Sequence, residues 1–147
     1  MEHETFAPIE LIARAVCVRD NKLLLCKAKD SDWYFLPGGH VEFGEKAKVA
    51  LAREIMEEAG VKAEIQDFIG AAENTYDRDN GAIHELNLVF ACHIAETNVQ
   101  SKEEHIEFFW IALNEIIDVT VRPEHLTKAV LAWLENPKPF WLDIVLP

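Results

Sequence analysis

Between Pro37 and Val61 the chain must change its backbone state twice. Pro37-Gly38-Gly39 has to be a turn or loop. From Glu45 to Ala59 no Gly or Pro interrupts a stretch rich in Ala, Glu, Lys and Leu, and that stretch is predicted to be a helix. Gly60 stands where a left-handed C-terminal cap is expected. Val49, Ala52, Ile55, Met56 and Ala59 recur at helical spacing and form the expected buried stripe.

β-prone segments surround this helix. Ile9 to Arg19 and Lys22 to Lys27 flank Asp20-Asn21 and predict a hairpin. Trp33 to Leu36 is a short strand running into the Pro-Gly-Gly turn. Val61 to Tyr76, His84 to Ile94 and Ile106 to Leu113 are further strands, with a polar turn over Asp77 to Gly81. Asn114 is placed to cap a short helix, and a last helix runs from about Pro123 to Leu134, stopped by Asn136-Pro137. The apolar tail from Phe140 to Pro147 is expected to pack back on the domain. Strands before, between and after helices indicate one mixed α/β domain over residues 1–147.

The helix carries an unusual charge pattern. Glu54, Glu57 and Glu58 stand at i, i+3 and i+4 and share one face. Ala47 and Ala50 are expected on that face, leaving room above it, and the Gly-rich turn brings backbone close by. Three like charges this near each other raise one another's pKa and are costly unless cations fill the site. Hard, oxygen-ligated divalent ions such as Mg²⁺ suit it. A Glu-rich helix face is ordinarily just solvated. Here the seven specified residues Gly39, Glu45, Arg53, Glu54, Glu57, Glu58 and Gly60 coincide by chance about once in 10⁸ placements.

Composition limits the partners. With 26 Asp and Glu against 14 Lys and Arg the formal net charge is −12. DNA, an RNA backbone and an anionic membrane are therefore not expected partners. No run approaches the length of a membrane span. Met1 to Pro8 lacks the basic, apolar make-up of a signal peptide, so the expected location is the cytoplasm. Cys17, Cys26 and Cys92 lie apart in apolar stretches and are expected to be reduced core thiols.

Gly39 to Val61 matches the signature box of the Nudix hydrolases without departure: Gly, five residues, Glu, seven residues, Arg-Glu-aliphatic, one residue, Glu-Glu, one residue, Gly-aliphatic. The chain therefore resembles that family. The resemblance implies an α/β/α sandwich with a mixed sheet between helices. It implies Mg²⁺-dependent hydrolysis, with Mn²⁺ as a possible substitute, of a nucleoside diphosphate linked to another group. In this reading Glu54, Glu57 and Glu58, supported by Arg53 and Glu45, are the catalytic set. Glu54, Glu57 and Glu58 are the metal ligands, and the Gly39 carbonyl is a further one. Arg53 pairs with Glu45 and holds helix and loop in register. Metal ions neutralise the phosphoryl oxygens and acidify the attacking water, and Glu54 is the first choice of base. A downstream loop is the alternative source of a base or extra ligand: among Glu103, Glu104 and Glu107, Glu107 is favoured as a metal ligand.

Outside the box, Trp33 and Tyr34 are placed to stack on a base, with a core role as the alternative. His40, Tyr76, Arg78, His84 and Asn87 are candidate substrate contacts. The expected substrate is a small nucleotide, a nucleoside triphosphate first. The alternatives are ADP-ribose, a nucleotide sugar or a dinucleoside polyphosphate, and an RNA 5′ end, against which the acidic charge counts. A catalytically silent nucleotide-binding module is the rival of another class; it goes with lost box glutamates, and all are present. A monomer or homodimer is expected.

Overall fold

The computed structural model describes residues 8–79 and 81–145. The expectation about a leader therefore falls outside the described residues, apart from Pro8, as do the last two residues of the tail. The chain runs β1 (Glu10–Arg19), β2 (Lys22–Ala28), β3 (Tyr34–Phe35), β4 (Gly38–His40), α1 (Ala47–Ala59), β5 (Ala63–Arg78), β6 (Gly81–Ile94) and β7 (Ile106–Ala112). A 3-10 helix (Leu113–Asp118), α2 (Glu124–Glu135) and β8 (Phe140–Val145) complete it.

Eight strands form one mixed sheet in the order β3-β2-β1-β6-β5-β8, with β4 on β1 and β7 on β2. The β1–β6 and β5–β8 pairs are parallel and the others antiparallel. The two helices cover opposite faces. Leu51, Ile55 and Ala59 of α1 pack on Ala13, Ala15, Cys17, Leu24 and Phe90. Leu126 and Val130 of α2 pack on Val16, Leu23, Leu25, Ala72 and Val89. Fully withdrawn residues such as Leu51 and Ile55 each contribute about 1.5–3 kcal/mol of transfer free energy. This is the expected α/β/α sandwich.

The first hairpin closes through Asp20 and Asn21 at φ 51° and 60°. Asp and Asn tolerate this left-handed pair, and it matches the strand twist. The tail forms β8, parallel to β5, with Gly70 opposite Phe140 and Asn74 opposite Ile144. The three cysteines are buried and unbonded. Among the described residues no helix is long and apolar enough to cross a membrane.

Asn114 lies inside the 3-10 helix, whose N-cap is Ala112, rather than capping it, and four further local expectations change. Pro37-Gly38-Gly39 is only partly loop, because Gly38 to His40 pair with Arg14 to Ile12 as an edge strand. The β5–β6 hairpin is longer than expected: Asp77 pairs with Ala82 and Arg78 with Gly81, leaving two residues between the strands. The helix starts at Ala47, with Lys46 in extended conformation as its N-cap, so Glu45 lies outside it. Its buried stripe is also rotated by roughly 90°, taking 100° per residue. Ala50, Leu51, Ile55, Glu58 and Ala59 are buried, while Val49 and Met56 are 59% and 48% exposed. Apolar character picked out Val49 and Met56, but Leu51 and Ile55 lie on the sheet, and that turns Glu58 inward. Ala50, expected beside the glutamates as a space-leaving residue, is fully buried.

Candidate active site

The strand β4, the loop after it and α1 are tied together by Arg53. Its Nε donates to Glu45 Oε2 at 2.7 Å and its Nη2 to Glu45 Oε1 at 3.0 Å, a bidentate pair. Nη1 donates to Glu54 Oε1 at 3.1 Å and to both Glu57 oxygens at 3.3 Å. Nη2 also reaches the His40 carbonyl at 3.2 Å, which fastens the edge strand to the helix. The Glu42 amide donates to Glu45 Oε1 at 3.2 Å. The pairing holds Glu45 below the usual carboxylate range, mainly through its hydrogen bond from Arg53. Arg53 is pushed up, first by Glu45 and further by Glu54 and Glu57.

Two glycines make this compact. At Gly39 a Cβ would lie 2.5 Å from the Glu54 carboxyl carbon and Oε2, so only glycine lets that carboxylate lie against the strand. Gly60 takes φ 67° and ψ 20°, and its N–H closes the helix on the Met56 carbonyl at 2.9 Å. Just beyond, the Lys102 N–H donates to the Glu58 carbonyl at 2.6 Å, docking the loop before β7 on the end of α1.

That loop also carries Glu103, whose carboxylate lies 3.1 Å from His105 Nε2. Glu58 is 9% exposed, and its pKa is pushed up to about 8. Burial is the main cause, followed by the charges of Glu54 and Glu103, against a smaller opposing effect of Arg14. Glu107 takes the other side. It pairs with Lys27, and strand alternation puts it with Phe109 and Ile111, away from Phe108 and Trp110, which pack toward α1. Strand alternation thus turns Glu107, the favoured extra ligand of the sequence reading, away from α1, while the charge of Glu103 is felt at Glu58.

The donor set suits a divalent cation. It is made of hard carboxylate oxygens, crowded by like charge, with Arg53 the cation among them. Among the described residues no three His, Cys, Asp or Glu side chains already surround a common point, because Glu54 and Glu57 are turned onto Arg53.

The candidate substrate contacts divide. Alternation puts His40, Asn87, Tyr76 and Arg78 on the α2 side of the sheet, with Glu10, Arg14, Asn74 and Glu85. His40 Nε2 lies 3.1 Å from Glu10 Oε1. Arg14 Nε donates to Asn87 Oδ1 at 3.2 Å and its Nη1 to the Leu36 carbonyl at 3.1 Å. Asn74 and Asn87 donate to Glu85 Oε1 at 2.9 and 3.2 Å. Arg78 donates to the Tyr76 hydroxyl at 3.0 Å. His84 faces the α1 side instead, 2.7 Å from Glu73. Trp33 stacks obliquely on Phe35 and lies under Arg122, at 5.7 and 5.3 Å. Tyr34 is a packing residue, edge-on to Phe109 at 5.5 Å and tied by its backbone to Thr120 and Arg122.

The sequence reading passed over Arg14, Asn74 and Glu85. Alternation held the signal for one of them: Glu85 is two residues before Asn87 on one strand and so shares its face. Nothing local marked Arg14, whose partner Asn87 is 73 positions away, or Asn74, whose pairing with Glu85 depends on the register of the β5–β6 hairpin.

Comparison with known proteins agrees with this geometry. A sequence model of the NUDIX domain matches residues 10–134. A relative from Methanocaldococcus jannaschii named ADP-ribose pyrophosphatase is 30% identical over 118 residues, 78% of this chain and 69% of its own length. One from Escherichia fergusonii, named nucleoside triphosphatase NudI, is 35% identical over 104 residues, 63% of this chain and 74% of its own. The crystal structure of a NUDIX hydrolase from Nitrosomonas europaea has the same fold, with a TM-score of 0.74 at 22% identity over 97% of this chain and 82% of that one. With an unbroken box on a matching fold, the chain belongs to the Nudix hydrolase family.

Proposed function

We propose that this protein is a Mg²⁺-dependent nucleotide pyrophosphohydrolase acting first on nucleoside triphosphates, with Mn²⁺ able to replace Mg²⁺. The observation that carries the reading is the Arg53-braced glutamate helix laid against Gly39. Glu54, Glu57 and Glu58 would hold the ions, with the Gly39 carbonyl, and with Glu103 in the part first given to Glu107. Bound ions supply charge neutralisation for the diphosphate and a more acidic water. Glu54, already against the edge strand, takes the water's proton. Arg53 does not touch substrate; it positions Glu54 and Glu57. His40 and Trp33 are further candidate contacts for substrate.

The triphosphatase name of the Escherichia fergusonii relative favours triphosphates, while the Methanocaldococcus jannaschii relative supports ADP-ribose as a second reading. Nucleoside triphosphates, ADP-ribose, nucleotide sugars and dinucleoside polyphosphates should be incubated with the protein and Mg²⁺, scoring phosphate and pyrophosphate release. Triphosphate cleavage abolished by EDTA is the expected result. Cleavage of ADP-ribose alone selects the second reading, and silence across all of them, capped RNA included, favours a binding module.

A further inference from the structure

The sheet ends at β8, and the far flank of that strand pairs with no other strand among the described residues. Its residues, Phe140 to Val145, carry one charge and no proline. The β5–β8 ladder runs without a register shift from Gly70 opposite Phe140 to Thr75 opposite Val145. Lysines, prolines and bulges are the usual guards of a sheet edge, and β8 holds none of them. In a parallel ladder alternate residues turn both N–H and C=O to the same flank, so about half of this strand's backbone groups face outward.

The two faces of β8 differ. Phe140, Leu142 and Ile144 belong to the core on the α2 side. Alternation puts Trp141 and Asp143 on the α1 side, and Trp141 is 57% exposed. Its indole N–H donates to Asp143 Oδ1 at 3.1 Å. Asp143 stands directly opposite Glu73, a like-charge pair that favours a donor arriving from the open flank. Phe68, exposed just before the β5–β8 ladder begins at Gly70, adds a second aromatic residue to this margin of the sheet.

An incoming strand has to continue the pattern. It must be apolar toward α2 and, toward α1, set an acceptor opposite Trp141 and a donor opposite Asp143. A second β8 does all of this when it runs antiparallel about Leu142. Leu142 then faces Leu142 of the other copy, Phe140 faces Ile144, and Trp141 faces Asp143. Each indole N–H passes to the carboxylate opposite it, so no donor is lost, and about four to six backbone hydrogen bonds are added. Centring the pair on Asp143 would set two carboxylates against each other. Centring it on Trp141 would set Asp143 opposite Pro139, which has no N–H to give. A centre between two residues would mix the two faces.

We propose that β8 is a self-pairing edge: two copies of this chain join through it, antiparallel about Leu142, into one continuous sheet. The paired strands are roughly 20 Å long at about 3.3 Å per residue, so the contact is at the small end of specific interfaces and the dimer exchanges with monomer. Each chain carries a formal net charge of −12. Screening that repulsion tightens an apolar contact, whereas salt loosens an ionic one. The core beneath α1 includes no residue of β8, so turnover per chain does not depend on pairing.

The test is sedimentation velocity of the whole protein from about 1 to about 200 µM. A concentration-dependent shift from monomer to dimer is expected, tightened about twofold or more as NaCl rises from about 0.05 to about 0.5 M. Trp141→Lys changes an exposed side chain and puts a guard on the edge. It should weaken the dimer about tenfold or more, with melting temperature and turnover little changed. Leu142→Cys should give a disulfide-linked dimer under copper-catalysed oxidation, because that position lies on the two-fold axis. Lys138→Cys, away from the axis, should not, and the native cysteines are buried. Monomer at every concentration overturns the proposal. So does a dimer that Trp141→Lys leaves intact, a dimer that loosens as salt rises, or linkage through Lys138→Cys in place of Leu142→Cys.

Discussion

The two polar regions on either side of the sheet are built on opposite principles. Around α1, Glu45, Glu54 and Glu57 crowd one guanidinium, Glu42 stands 4.0 Å from it, and Glu58 is buried beside Glu54. Negative charge is in excess there, and the carboxylates around Arg53 all come from one helix and the loop before it. Across the sheet, Arg14, Asn74, Glu85 and Asn87 come from three strands, with Arg14 and Asn87 separated by 73 positions, and nearly every donor meets an acceptor. An excess of like charge that the protein does not neutralise itself is a place for cations. A matched network fixes side-chain positions instead. The first region should therefore respond to mutation mainly in rate, the second mainly in affinity and stability.

The largest expected effect follows directly. Glu57→Gln removes an exposed carboxylate without leaving a cavity, so Mg²⁺-dependent turnover should fall about 10³-fold with the melting temperature unchanged in metal-free buffer. Full activity would remove Glu57 from the ligand set. Arg53→Ala should come next. It unpairs Glu45 and frees Glu54 and Glu57, so kcat should fall about 10- to 100-fold with KM little changed, and stability should drop by about 1–3 kcal/mol. Glu45→Gln should do the same more weakly, and the double variant should be no worse than Arg53→Ala. A KM effect in place of a kcat effect would make Arg53 a substrate contact rather than a brace.

Glu58 gives the region a pH signature. In metal-free protein its pKa lies at about 8, well above the unfolded carboxyl near 4.3. Between those values the folded state keeps a proton that the unfolded chain has released. The contribution is complete below pH ~4.3 and is lost as pH rises toward 8, by at most about 5 kcal/mol. Chemical denaturation in EDTA from pH 4 to 9 should show this decline, and Glu58→Gln should flatten it. Millimolar Mg²⁺ should restore stability at pH 8 by mass action. A wild-type profile that is already flat would mean Glu58 is solvated.

The contrast also explains what could be read from sequence. The box was legible because its residues lie within one loop and one helix, where spacing alone fixes geometry. The hairpin at Asp20-Asn21 and the packing of the tail back on the domain were legible from turn chemistry and apolar character; that the tail packs as a strand was not. Which way α1 faces was not: Val49 and Met56 are more apolar than Ala50, and only the tertiary contact of Leu51 and Ile55 decides the stripe. The Asn74 group was not legible either, since register across three strands creates it.

The smallest effect tests the same lesson at one strand. Glu103 and Glu107 are four residues apart and alike in sequence, but Glu103 lies in the loop docked by Lys102 and its charge is felt at Glu58, while alternation sends Glu107 to the side of Lys27. Glu103→Gln should lower turnover about tenfold if its carboxylate joins the cluster, and it should also lower the pH at which metal-free stability declines, because one like charge near Glu58 is gone. Glu107→Gln should leave both within twofold of wild type. Reversal of that order would mean that strand β7 enters the active site with the opposite face, and the docking of the 101–105 loop on α1 would have to be redrawn.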